Sequence, residues 1–202
     1  MVSALDTLQS LAEKSSPGRT PEFTPAHLLM SLKIISTSTI GRKQLADKLG
    51  LGEGTVRNLI RRLMDEGLVS SNRQGMSLTG NGRSLFSDLE NKIIGSSFKS
   101  SEITVSRYNY FVLVRGARNK IRFGIEQRDS AIMVGAKGAT TLVFENGELI
   151  IPGMERSLEE TEIKQIMSLD PKNNDVIVIG TADSPLYAML GAYSAALDIL
   201  KS

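Results

Sequence analysis

Val56, Leu59, Ile60 and Leu63 stand at i, i+3, i+4 and i+7. That is the spacing of a helix with a single buried stripe. Just upstream, Leu45, Ala46 and Leu49 mark a shorter helix over about Arg42 to Leu49, and Gly50-Leu51-Gly52 forms a tight turn between the two. The longer helix starts near Glu53 and ends near Glu66, where Gly67 is a typical C-terminal stop. A short helix, a glycine turn and a longer helix give the first half its frame.

The flanking segments extend this frame. Leu5, Leu8 and Leu11 predict a first short helix over Ala4 to Lys14, which SSPGRTP (Ser15 to Pro21) should break. Thr24 is placed to cap a second helix with Pro25 at its first position. Its buried stripe would be Leu28, Leu29, Leu32 and Ile35, with His27 at the helix surface or partly packed. Leu68 to Ser71 and Met76 to Leu78 predict two strands around the turn Asn72-Arg73-Gln74-Gly75. Thr79 can cap a further helix from Gly80 to about Ile94, and GSSFKSSE (Gly95 to Glu102) reads as a polar linker. The expected domains are therefore residues 1–95 and 103–202.

Charge singles out the first half. Residues 1–100 carry 13 Lys and Arg against 9 Asp and Glu; residues 101–202 carry 11 against 13. Eight basic residues lie between Ile40 and Arg83 with only four acids, which points to a polyanionic partner. With the apolar stripe inward, Gly54, Thr55, Arg57, Asn58 and Arg61 are left on the outward face of the longer helix. Such a helix fits the major groove, where Arg pairs with guanine and Asn with adenine. Arg42 and Lys43, opening the shorter helix, are candidates for phosphate contact, as is Arg73 at the hairpin tip. The alternative is a solvated face, with Arg61–Asp65 and Arg62–Glu66 as i, i+4 pairs.

The run RKQLADKLGLGEGTVRNLIRRLMDEGLVSSNRQGMSLTGNGRSLF resembles the winged helix-turn-helix of bacterial and archaeal transcription regulators. The resemblance implies double-stranded DNA as partner, although some winged helices bind protein instead. Taken whole, the chain resembles an uncharacterised archaeal family of regulators that joins such a domain to a C-terminal domain of unknown function. FTPAHLL, the hairpin and RNKIRFGIEQRDSAIMVGAKGATTLVFENGELIIPG carry that likeness.

The second half changes period. Tyr108 to Arg115 reads as a buried strand, followed by a helix within Ala117 to Val134 with Ile121, Ile125 and Ile132 on one side. Gly124 makes that helix's continuity doubtful. Thr140 to Glu145 and Glu148 to Ile151 form a hairpin around Asn146-Gly147. Ser157 and Glu160 suggest a capping box for a helix to Leu169. DVIVIG (Asp175 to Gly180) is a strand, and Ser184-Pro185 opens the last helix. The small residues Ala188, Ala192 and Ala195 of that helix suit close packing on a sheet or, as the alternative, on a second subunit. This order matches the split β-α-β, ferredoxin-like arrangement. The expected fold class is α+β: an N-terminal winged helix-turn-helix followed by a C-terminal ferredoxin-like α/β sandwich.

Three polar segments of this half could hold a small anionic effector: Arg128 and Asp129, Lys137 and Gly138 in a glycine-rich turn, and Asp183 and Ser184 at a helix start. Each also has a structural reading, as an ion pair, a helix-to-strand turn or a helix cap. Function classes are thinned by composition. The absence of Cys removes disulfides, thiol catalysis and Cys-based zinc sites, and His27 is the one histidine. No catalytic or cofactor motif is present, and Met30, Met64, Met133, Met167 and Met189 read as core. No apolar run approaches a membrane span and no signal peptide is visible, so a cytoplasmic protein is expected. The expected function is a homodimeric transcription regulator without enzymatic activity. The alternative is a small-molecule enzyme using Arg128, Asp129, Lys137 and Asp183.

Overall fold

The computed structural model describes residues 3–13 and 22–201. SSPGRTP lies outside them, as does Lys14. The chain divides into two compact units, Met1–Glu90 and Asn91–Ser202.

The first unit runs α1 (Ala4–Ala12), α2 (Pro25–Thr37), α3 (Arg42–Leu49), α4 (Glu53–Asp65), β1 (Val69–Asn72), β2 (Gly75–Leu78) and α5 (Gly80–Glu90). Val56, Leu59, Ile60 and Leu63 are all buried, and so are Leu45, Ala46 and Leu49. The turn between α3 and α4 requires a left-handed residue, and Gly50 supplies it at φ 63°. β1 and β2 pair antiparallel from Val69–Leu78 to Asn72–Gly75, so Arg73 and Gln74 alone form the tip. The Asn72 carboxamide oxygen closes it by accepting the Gln74 and Gly75 N–H groups.

The second unit begins with β3 (Ile93–Phe98), continues with β4 (Tyr108–Val114), a single 3₁₀ turn at 118–120, α6 (Ile125–Met133), β5 (Gly138–Glu145), β6 (Glu148–Ile150) and α7 (Glu160–Met167), and ends with β7 (Asp175–Ala182) and α8 (Pro185–Lys201). Gly95 to Phe98 is therefore strand and not linker. Ile93 and Phe98 are buried and the segment pairs with β4 along its length, so the polar middle of GSSFKSSE sits on an edge strand. α5 stops at Glu90, short of the expected Ile94. The Ser157 cap is also corrected: α7 starts at Glu160, and the Glu162 carboxylate accepts the Glu159 N–H at 2.9 Å.

All neighbours in the five-stranded sheet are antiparallel, in the order β3-β4-β7-β5-β6. The mixed α+β class is as expected, but this strand order differs from the ferredoxin-like one, in which the first and third strands of the core are central. Here the last strand, β7, lies between β4 and β5. The reason is burial: every residue of β7 is buried, whereas β6 has three residues, two exposed and one half-buried. A strand apolar on both faces takes the centre, and the short wet one takes the edge.

α8 covers one face of the sheet, with Ala188, Ala192 and Ala195 buried. The approach is so close that a Cβ on Gly180 would run into the Ala188 carbonyl and lie 2.6 Å from the Ala192 amide nitrogen. The opposite face carries Phe111, Leu113, Leu142, Ile177 and Ile179, packed with Ile166 of α7. Ile125 and Ile132 do not share a buried stripe with Ile121. They are half exposed, and α6 buries Gln127 and Ala131 instead, because small Ala131 meets Gly191 of α8. Met64, Met133 and Met167 are likewise exposed, while Met30 is core.

His27 is buried in α2, and its Nδ1 accepts the Thr24 N–H at 3.1 Å. Burial pushes its pKa down to about 4. The neutral ring is the form the fold needs, so the unfolded chain takes up a proton first as pH falls. Stability of the first unit should decline from about pH 6.5 to about pH 4 and level off below, by up to roughly 3 kcal/mol. Denaturant unfolding across that range checks this, and His27→Gln should flatten the decline.

Candidate nucleic-acid interface

The buried stripe orients α4, and Arg62 on the edge of that stripe adds directional contacts. The Arg62 guanidinium donates to the carbonyls of Leu11 (2.7 Å) and Glu13 (2.6 Å) and stacks over the Phe23 ring, 5.5 Å from its centroid. It thus ties α4 to the end of α1. The alternative, solvated-face reading pairs it instead with Glu66 at i, i+4. A long side chain at a helix flank can reach two free carbonyls at another helix's C-terminus, which sequence spacing does not reveal.

With α4 held by that edge, its opposite side faces outward. Gly54, Arg57 and Arg61 are exposed, and Thr55 and Asn58 are half-buried. Asn58 Oδ1 accepts from Arg61 Nη2 at 2.9 Å, Arg61 lies 3.6 Å from Asp65, and the Thr55 hydroxyl donates to Glu22 at 2.9 Å. Arg42 and Lys43 are exposed on the first turn of α3, and Arg73 is exposed at the hairpin tip. Glu53 and Asp65 are exposed on α4 as well, so that helix face is rich in donors but mixed in charge, and the basic excess of the surface comes from Arg42, Lys43 and Arg73; its local pairs are solvent-exposed contacts of small worth. Every one of these eight candidates lies on the surface of the first unit.

In the second unit the structure brings together two of the three polar segments. The Lys137 N–H donates to the Thr181 carbonyl at 2.8 Å, and Lys137 Nζ lies 3.1 Å from Asp183 Oδ2. Ser106 donates to the other oxygen of Asp183 at 2.8 Å. Those two partners, Ser106 first and Lys137 second, hold the exposed Asp183 carboxyl below its ordinary pKa. Ser184 Oγ accepts the Tyr187 N–H at the start of α8, so it caps the helix as well. Gly138 lies close to Val105, Thr181 and Arg128, while the Arg128 head group turns to Asp129 at 3.0 Å. Sequence reasoning missed Ser106 and Asn109. Asn109 is the cross-strand partner of Thr181, and its Nδ2 donates to Ser100 Oγ and the Ser106 carbonyl. Asn109 Oδ1 and Thr181 Oγ1 are buried and make no hydrogen bond.

The comparisons bear on both units. Residues 28–93 match the family model described as the CggR N-terminal DNA-binding domain. The first unit is thus similar to a DNA-binding domain. Residues 105–199 match a family described as a domain of unknown function, DUF4443. A solved structure of a hypothetical protein from Pyrococcus horikoshii OT3 is similar over 89% of this chain and 94% of that one, with 28% identity and a TM-score of 0.73. No curated protein matches the chain. The resemblance to an uncharacterised archaeal regulator family fits these matches. Among the described residues, no helix is long and apolar enough to cross a membrane.

Arg62 gives the packing of the first unit a direct test. Arg62→Ala leaves two carbonyls at the end of α1 without their donor and should destabilise the first unit by about 1–3 kcal/mol. Thermal unfolding measures the loss, and amide exchange should rise in α1 before it rises in α4.

Proposed function

We propose that the protein is a transcription regulator, and not an enzyme, whose α4 enters the major groove of double-stranded DNA. The observation that carries this reading is the set of exposed cations, Arg57 and Arg61 on the outward side of α4 with Arg42, Lys43 and Arg73 on the same unit, within a segment matching a DNA-binding family. In this reading Arg57 and Asn58 contact base edges, with Gly54, Thr55 and Arg61 alongside. Arg42, Lys43 and Arg73 hold phosphates and set the register. Forming such contacts exchanges Asn58–Arg61 and Arg61–Asp65 for DNA, at small cost because both pairs are exposed. Two chains on a two-fold site would double the few base contacts of one winged helix, so the regulator acts as a homodimer in the cytoplasm.

The second unit is the sensor in this proposal. A small anionic effector would bind Lys137 in place of the Asp183 carboxylate, at the start of α8. Gly138 follows Lys137 in the same turn, packed near Arg128, and Ser184 and Arg128 with its neighbour Asp129 border the site.

Binding to genomic DNA fragments should weaken by about tenfold or more between roughly 50 and 200 mM salt, as phosphate contacts release counterions. A flat salt response would sink the proposal. Selection from a random library should show Arg57→Ala or Asn58→Ala relaxing base preference by roughly 1–3 kcal/mol. Arg73→Ala should weaken all sequences alike.

For the sensor, a thermal-shift screen of amino acids, nucleotides and phosphorylated metabolites should yield an anion that raises Tm. Its effect should vanish in Lys137→Ala and grow in Asp183→Asn, which frees Lys137 of its competing carboxylate. An anion hit indifferent to both substitutions would place the effector elsewhere.

A further inference from the structure

Among the described residues, eleven large apolar side chains are exposed. Four of them, Ile150, Met154, Ile163 and Met167, line a single cavity of about 630 Å³ in the second unit. It lies between β6, the segment after it and α7, with Phe144 and Leu149 also in its wall. That volume falls within the range of small-molecule pockets, roughly 300–1,000 Å³. Two of the four are methionines, whose flexible thioethers adapt to differently shaped apolar guests.

The rim decides the charge of the guest. Its charged residues are Glu148, Glu155 and Arg156. Arg156 is already engaged, donating to the Glu102 carboxylate at 2.7 Å and to the Glu102 carbonyl at 3.3 Å. The two glutamates are left as the rim's uncompensated charge among the described residues. An anionic amphiphile would meet repulsion here, and a cationic one attraction.

We propose that this cavity binds an organic cation, its apolar body among Ile150, Met154, Ile163 and Met167 and its positive end against Glu148 and Glu155. This site is separate from the cluster around Lys137 and does not depend on an anionic effector binding there. It gives the second unit a ligand of opposite charge.

The test uses the full chain and two probes, the aromatic cation rhodamine 6G and the neutral N-phenyl-1-naphthylamine. Rhodamine 6G should bind saturably by fluorescence polarisation. Ile163→Lys and, separately, Met154→Lys place a cation in the wall and should weaken it by about tenfold or more. Both positions are partly exposed, so the variants should keep their thermal transition. Replacing Glu148 and Glu155 together by Gln should weaken rhodamine 6G by about fivefold at low salt and leave the neutral probe unchanged. Equal binding of rhodamine 6G by the wild type and both lysine variants overturns the proposal. So does the absence of saturable binding. If neither probe binds and Ile163→Lys converts a dimer to a monomer in sedimentation velocity, the face is a self-association contact and the proposal is wrong.

Discussion

Strand β7 has no wet face, and the second unit is built around that fact. Its eight residues pair with β4 on one side and β5 on the other, and side chains from both helical and loop layers cover them. Such a strand can begin only where its first polar group is fully satisfied. Asp175 meets this need: its carboxylate accepts from the Gly116 and Lys172 N–H groups and from Arg115 at 2.6 Å. It can end only where the chain escapes the sheet, and the exit at Ala182 delivers Asp183 and Ser184 to the start of α8. The polar cluster at that end is thus a consequence of the central strand. Gly180 lets α8 settle directly on the strand, which in turn fixes where that helix begins.

The first unit depends on a different device. Its buried stripe decides which side of α4 faces inward, but a stripe of apolar side chains resists sliding only weakly. Arg62 adds directional bonds to α1 and a ring contact to Phe23. A helix proposed to read base edges must be held to within a fraction of an ångström, and directional bonds on its inner flank are a means to that end. His27 serves the neighbouring helix in the same way, by accepting a backbone N–H at the start of α2.

Local periodicity made much of this legible. The α3–turn–α4 frame, the hairpin around Arg73 and Gln74, and the Asn146-Gly147 turn each follow from signals within a few residues, and each element lies where the pattern puts it. Strand order was not legible, because it depends on comparing the burial of β7 with that of β6 across the whole unit. GSSF misled for a related reason. Glycine and serine are common in linkers, yet an edge strand with one exposed side accepts them, and only the β4 partner reveals the pairing. Arg62 and Ser106 escaped notice because their partners lie 51 and 77 residues away. The sequence reading assigned Ile125, Ile132 and Met133 to a core that the small residues of α6 and α8 occupy instead.

Exposed charge pairs recur at both candidate sites, and their weakness matters. Arg61–Asp65 and Lys137–Asp183 join side chains that are each more than half exposed. Pairs of this kind contribute only a few tenths of a kcal/mol to about 1 kcal/mol, because water and salt screen them. They therefore do little to hold the fold, which rests on β7 and the apolar stripes. They do keep cationic heads extended and near the surface while no ligand is bound. A polyanion offering several phosphates at once replaces such a partner at little cost and releases its own counterions in doing so. A single small anion has no such multiplicity. At Lys137 it must outcompete a carboxylate tethered at 3.1 Å and already organised by Ser106. The same chemistry thus leaves the first unit open to a highly charged partner, and under the proposed sensing role the second would select an anion that offers more than charge.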